Sequence, residues 1–239
     1  MFNSVGFFDT EALMRAVFLG LLLISPGLPA FADDAAKPAS GPEPTIVVVS
    51  VKAGDSWGYE FRDGITNDLI STVHVTVTQV AEGEIDVRNR VTKVKTNDEN
   101  STLIVFDRNW RLKDNGKFKY TPFSDATGIP DGLAVGKSWT YTRVDSRLTR
   151  PQDVKFIGTG KVTAWERITL PSGAAYDAYR IDFTEAQTPV VNNRKLEQTV
   201  VEWFAPSVNR FVQLTWEARQ NGKLSDKTLQ FLTEYKPLP

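Results

Sequence analysis

The sequence predicts an all-β protein, two related antiparallel units packed as a β-sandwich or as an open, strongly curved half-barrel. Three observations carry this. From Thr45 onward the dominant hydrophobic period is two, with no stretch bearing a convincing helical stripe; turn signals recur at close spacing; and one hexapeptide pattern occurs twice.

Val73, Val75 and Val77 alternate with Thr72, His74, Thr76 and Thr78, which makes a strand with one apolar and one polar face. Ala81-Glu82-Gly83 turns it into a partner strand bearing Ile85 and Val87. Further on, Val162, Ala164, Ile168 and Leu170 share one phase, Pro171-Ser172-Gly173 makes a tight turn, and Ala174–Phe183 returns with Tyr179, Ile181 and Phe183 in phase. Other turns are expected at Asp114-Asn115-Gly116, Asn192-Asn193 and Asn221-Gly222. Hairpins this close together make antiparallel sheets, because parallel strands need long crossovers.

Gly54-Asp55-Ser56-Trp57-Gly58-Tyr59 returns 82 positions later as Gly136-Lys137-Ser138-Trp139-Thr140-Tyr141. Later in each half a hydrophobic strand runs into a polar corner. Ser101–Phe106 leads to Trp110-Arg111-Leu112, and Gln198–Phe204 leads through Ala205–Asn209 to Arg210-Phe211-Val212. The reading is two copies of one β unit, 45–130 and 131–239, joined by the Gly- and Pro-bearing stretch Thr127–Gly136 and packed around a shared core; two separate lobes are the alternative. Trp57, Tyr59, Trp139, Tyr141 and Trp203 are expected to be structural, since large aromatics in strand patterns more often fill a core than face a ligand.

Ahead of the strands, Ala16–Ile24 is an unbroken apolar run after Arg15, ended by Pro26 and followed by Ala30-Phe31-Ala32. That order reads as a signal peptide over 1–32, too short for a stable membrane span, with cleavage before Asp33. Asp9 and Glu11 sit badly in such a leader, so Met14 is a better start than Met1. Residues 33–44 hold three prolines and no large apolar side chain, and read as a flexible tether. Removal of the leader takes Arg15, Asp9 and Glu11, leaving 27 basic against 27 acidic residues. That balance offers nothing to nucleic acid. The absence of Cys excludes disulfides, thiolate nucleophiles, Cys-zinc sites and a lipidated Cys after the leader. One His excludes sites that need two imidazoles, and no metal or cofactor is expected.

The second half carries Gly136-Lys137-Ser138-Trp139, then Trp165–Ile181 around its Pro-Ser-Gly turn, then Trp203-Phe204-Ala205-Pro206 leading into Arg210-Phe211-Val212. Over 131–239 this resembles a family of exported bacterial β-proteins that is a domain of unknown function. Its members share a Pro-x-Gly hairpin and a Trp-aromatic-x-Pro corner. The resemblance implies export and an all-β fold, and implies no activity.

Candidate chemistry is sparse. His74 lies mid-strand among threonines, where a solvated role outweighs that of a general base, and no Gly-x-Ser-x-Gly elbow is present. Gly158-Thr159-Gly160-Lys161 lacks the earlier glycine of a phosphate loop and precedes a strand. Arg108, Arg111, Lys113, Lys117 and Lys119 interleave with Trp110, Phe118 and Tyr120, which reads as a solvated hairpin rather than a nucleic-acid face. Glu166 shares the phase of Val162 and Leu170, so it is expected to point at an apolar face and to pair with Arg180 across the hairpin. No catalytic residue is assigned. The expected function is that of an exported, non-catalytic envelope protein holding an apolar or amphipathic, lipid-like ligand on a concave aromatic sheet. The alternatives are an interaction or scaffold module for an envelope protein and, less favoured, a carboxylate-based hydrolase.

Overall fold

The computed structural model describes residues 37–44, 49–124, 128–147, 153–188 and 195–238; the leader and the Asn192-Asn193 turn lie outside the described residues. Apart from one two-residue strand, β1 (Lys37–Pro38), the strands follow one another around a ring: β2 (Ser56–Asp63), β3 (Leu69–Ala81), β4 (Glu84–Lys93), β5 (Glu99–Asp107), β6 (Leu112–Asp114), β7 (Phe118–Ser124), β8 (Ser138–Arg147), β9 (Asp153–Thr169), β10 (Ala175–Thr188), β11 (Leu196–Ala205), β12 (Arg210–Gln220) and β13 (Lys223–Lys236). Each pairs antiparallel with the next, and β13 returns to pair with β2 from Thr228↔Asp63 to Lys236↔Ser56. The ring is therefore a closed twelve-stranded barrel, which corrects the expectation of a sandwich or open half-barrel. Closure pairs the backbone groups that two free edges would leave open, and alternation along a strand does not encode which strand meets the last one.

The turns form where the sequence places them. Glu82 and Gly83 between β3 and β4, and Asn221 and Gly222 between β12 and β13, all have positive φ, the pattern of two-residue turns that match strand twist. One turn signal is easy to overlook: Thr66-Asn67-Asp68 and Thr96-Asn97-Asp98 make the same loop twice. In each, the Asn has positive φ and the Thr hydroxyl bonds the Asp two residues on.

A twelve-stranded ring encloses more space than aliphatic side chains fill, and aromatics fill it here. Trp57, Tyr59, Phe106, Trp110, Tyr179, Phe183 and Phe204 are buried in one core drawn from both halves of the chain, with Val75, Val77, Ile85, Val87, Val162 and Ile181 between them. A smaller cluster of Phe156, Leu196, Leu214, Trp216 and Ala218 is separate from it. Residues 37–44 lie along the barrel: Pro38 pairs with Glu166, the Trp165 indole donates to Gly41 O at 3.0 Å, and the Tyr179 hydroxyl to Pro44 O at 3.1 Å. Among the described residues no helix is long and apolar enough to cross a membrane.

Gly158 and Gly160 of β9 are explained by aromatic contact rather than by phosphate. They lie opposite Tyr141 and Trp139 of β8, and a Cβ at either position would overlap the facing ring. The space goes to the rings, and Trp139 meets Phe183 edge-on at 5.6 Å. Gly160→Val is expected to displace Trp139 and destabilise the barrel by about 1–3 kcal/mol, read as a lower urea midpoint with a changed tryptophan emission.

Candidate functional site

The chemistry-bearing side chains that the fold gathers are inside the barrel. On β8, Tyr141, Arg143 and Asp145 share the inward phase, and Glu185 of β10 stands two strands away, opposite Gly158. Arg143 Nη2 donates to Glu185 Oε1 at 2.7 Å, its Nε lies 3.3 Å from Asp145 Oδ1, and the Tyr141 hydroxyl donates to Glu185 Oε2 at 3.2 Å. The Phe156 ring lies against the guanidinium at 4.5 Å, and Tyr120 of β7 covers it from 5.8 Å. All of these groups are buried. Two carboxylates share one guanidinium in this dry space. Burial pushes the Asp145 carboxyl up to about 6, with Glu185 adding to the rise and Arg143 opposing it. Glu185 is also raised, first by burial, while burial lowers Arg143 but its two acids more than restore it.

The second group is centred on Arg210, half-buried at the start of β12. Its guanidinium sits 4.1 Å from the Trp110 ring, 5.2 Å from Trp57 and 5.6 Å from Phe106, with the Tyr59 hydroxyl near enough to feel its charge. Tyr59 in turn donates to Phe211 O at 2.9 Å, and its own hydroxyl is pushed up to about 12 by burial. The backbone beside it is pinned by two indoles: Trp57 Nε1 donates to Val208 O at 3.0 Å and Trp110 Nε1 to Asn209 O at 2.7 Å. Glu202 of β11 is buried nearby, and burial raises its carboxyl well above the ordinary range, with Arg210 only partly opposing the rise.

The linkage has a definite sign. A carboxyl whose pKa is raised by folding binds its proton more tightly in the native state, so stability falls as pH rises from the unfolded value toward the folded one. For Asp145 that window runs from 3.8 to about 6. The barrel is expected to melt higher at pH 5 than at pH 8. Glu202→Gln is expected to raise stability at pH 8 by about 1–2 kcal/mol and to flatten the pH profile, as measured by thermal melts across that range. A wild-type profile that falls toward pH 5 would remove this account of the interior acids.

The residues expected to be structural are placed as follows. Trp57, Tyr59 and Tyr141 are buried, and Trp139 packs partly buried against the main core. The Glu166–Arg180 pair is not formed. Two residues of β9 are passed for one of β10 between Val162 and Ala164, so Thr163 is a bulge that shifts the phase of everything after it. Trp165 then shares Tyr179's face, their rings 4.7 Å apart, and Glu166 lies opposite Ala178. Glu166 instead accepts a hydrogen bond from Trp203 Nε1 at 2.7 Å. Arg180 bonds Asp182 at 2.9 Å and lies over the Trp203 ring. His74 is exposed, between Gly58 and Arg90 on the neighbouring strands. In the basic stretch Trp110 and Tyr120 are buried, Arg111 pairs with Asp107 at 2.6 Å, and Lys113 pairs with Glu84.

Arg143, Asp145, Glu185, Glu202 and Arg210 were not singled out by sequence reasoning. A signal existed: Tyr141, Arg143 and Asp145 stand in the phase of Trp139, and Glu202 stands in the phase of Val200 and Phe204. Among the described residues no group of three His, Cys, Asp or Glu is placed to hold a metal ion. One open groove of about 200 Å³ lies on the outside, lined by Arg111, Ile129, Asp131, Lys137, Trp139 and their neighbours.

Searched by sequence, the chain matches no family model and no curated protein. In three dimensions it is similar to an exported-protein candidate with a YmcC-like fold from Bacteroides fragilis, at TM-score 0.52 and 11% identity, over 80% of this chain and 99% of that one. The fold is similar to the YmcC-like one. A lipoprotein candidate from Parabacteroides distasonis is similar over the same shares of the two chains, at TM-score 0.50 and 14% identity. At these identities the likeness shows the YmcC-like fold alone.

Proposed function

We propose that the chain is a non-catalytic protein of the bacterial cell envelope that works by recognising another envelope component with the outside of its barrel. The observation that carries this is the filled interior. The expected lipid site required an open aromatic trough, but the sheet closes and Trp57, Trp110, Tyr59, Phe183 and Phe204 occupy the space behind it. Among the described residues the interior acids are paired with Arg143 or sealed behind aromatics, which weighs against a carboxylate couple working inside the barrel. Export is supported by the signal-like leader and by the descriptions of the two structural neighbours. Exposed apolar side chains on the outer wall, Leu103 of β5 and Ile157 of β9, are available to a partner.

The two-unit organisation belongs to the same reading. β2–β7 and β8–β13 would be two copies of one six-stranded unit, each opening on Gly-x-Ser-Trp-x-Tyr. Each also turns a corner at a positive-φ residue, Trp110 after β5 and Asn209 after β11. The test is in-cell photocrosslinking from the Leu103 and Ile157 positions, with the inward Val75 as control, combined with native mass spectrometry of the purified chain. A discrete adduct from the outer positions only, and a chain mass free of lipid, is the expected result. Stoichiometric lipid retained by the folded chain would overturn it.

A further inference from the structure

We infer that the barrel holds a buried hydration site in which ordered water bridges Glu202 and Arg210. A void of about 40 Å³ lies between them, lined also by Tyr59, Phe106, Trp110 and Gln230. A buried water needs roughly 10–15 Å³ on this measure, so two or three fit. Glu202 Oε2 and Arg210 Nη1 are both buried without a hydrogen-bond partner, and both residues face the void. No salt bridge joins them, although the charges are opposite and near enough to influence each other. Their separation is built in. Arg210 is held among the rings of Trp57, Phe106 and Trp110, while Glu202 is fixed by its place in β11 between β10 and β12.

The groups at the void define their guest. It must be small, it must accept from Nη1, and it must be able to donate to Oε2 or, when the Glu202 carboxyl holds its proton, to accept from it. An apolar guest would leave both atoms unpaired in a low-dielectric space. Water satisfies each condition. The wider interior agrees: among the described residues Gln198 Nε2, a donor, and Asn89 Oδ1, an acceptor, are also buried without a hydrogen bond, while Arg143 Nε and Asp145 Oδ1 face each other at 3.3 Å. That balanced set suits a guest able to do both.

A high-resolution crystal structure of the chain tests the site directly. The expected result is at least one ordered water within hydrogen-bond distance of both Glu202 Oε2 and Arg210 Nη1. A direct Glu202–Arg210 ion pair that closes the void, an empty void, or an apolar guest would each overturn the inference. In solution, long-lived water cross-peaks to the Trp110 and Phe106 rings are expected in the native chain and in Glu202→Gln. They are expected to vanish in Glu202→Met, whose side chain has no group to hold the water; their persistence there would also count against it.

Discussion

Trp57→Ala is expected to lower the free energy of unfolding by about 3–5 kcal/mol, a large share of the roughly 5–15 kcal/mol that holds a typical domain folded. The indole is fully buried, meets Trp110 edge-on at 5.7 Å and stacks on Tyr235 at 5.6 Å. Truncation opens a cavity inside a hydrogen-bonded ring whose walls can move in very little. It also leaves Val208 O without its donor and takes one ring from Arg210. Trp57→Phe separates these effects. It keeps most of the apolar volume but not the donor, so its cost is expected nearer 1–2 kcal/mol. Urea denaturation followed by circular dichroism measures both. A loss below about 1 kcal/mol for Trp57→Ala would mean that this tryptophan does not build the core.

Arg143→Met is expected to be nearly as damaging, by about 3–5 kcal/mol at pH 8, because it strands Asp145 and Glu185 in a space that no longer holds a cation. The loss should depend on pH. Both acids are already raised by burial, and removing Arg143 raises them further, so protonation near pH 5 relieves the variant more than the native chain. Neutralising all three partners, as Arg143→Met with Asp145→Asn and Glu185→Gln, should recover much of the stability lost by the single change. Double-mutant cycles by thermal denaturation at the two pH values check this. An equal loss at both would contradict the cluster as described.

Much of the fold was legible in the sequence because its signals are local. The Val73–Val77 alternation, the Glu82-Gly83 and Asn221-Gly222 turns and the Pro171–Gly173 hairpin each follow from period-two patterning or from residues that tolerate positive φ. What was not legible depends on distance or on single-residue insertions. The Thr163 bulge carries no compositional mark, yet it moves Glu166 off the face of Val162; Arg180, opposite Ala164 and one step from Glu166, turns instead to Asp182, and the Trp203 indole takes the Glu166 carboxylate. Arg143 meets Glu185 across 42 residues of sequence, and the Arg210 cage draws Trp57, Phe106 and Trp110 from the opposite half of the chain. Each looks like an ordinary surface charge until the ring is closed around it. Closure has the same character, since the first and last strands of a meander are the pair that no hairpin signal joins.

The most direct test of the closed barrel is a disulfide across that seam. Glu60 of β2 and Phe231 of β13 are cross-strand partners, and the chain has no cysteine of its own, so Glu60→Cys with Phe231→Cys is an unambiguous reporter. Paired strands bring such Cα atoms within the reach of a disulfide. The account expects complete intramolecular oxidation in the folded chain and a higher urea midpoint than in the reduced form. Free thiols that persist under oxidising conditions while the fold is intact, or cross-links only between molecules, would contradict closure.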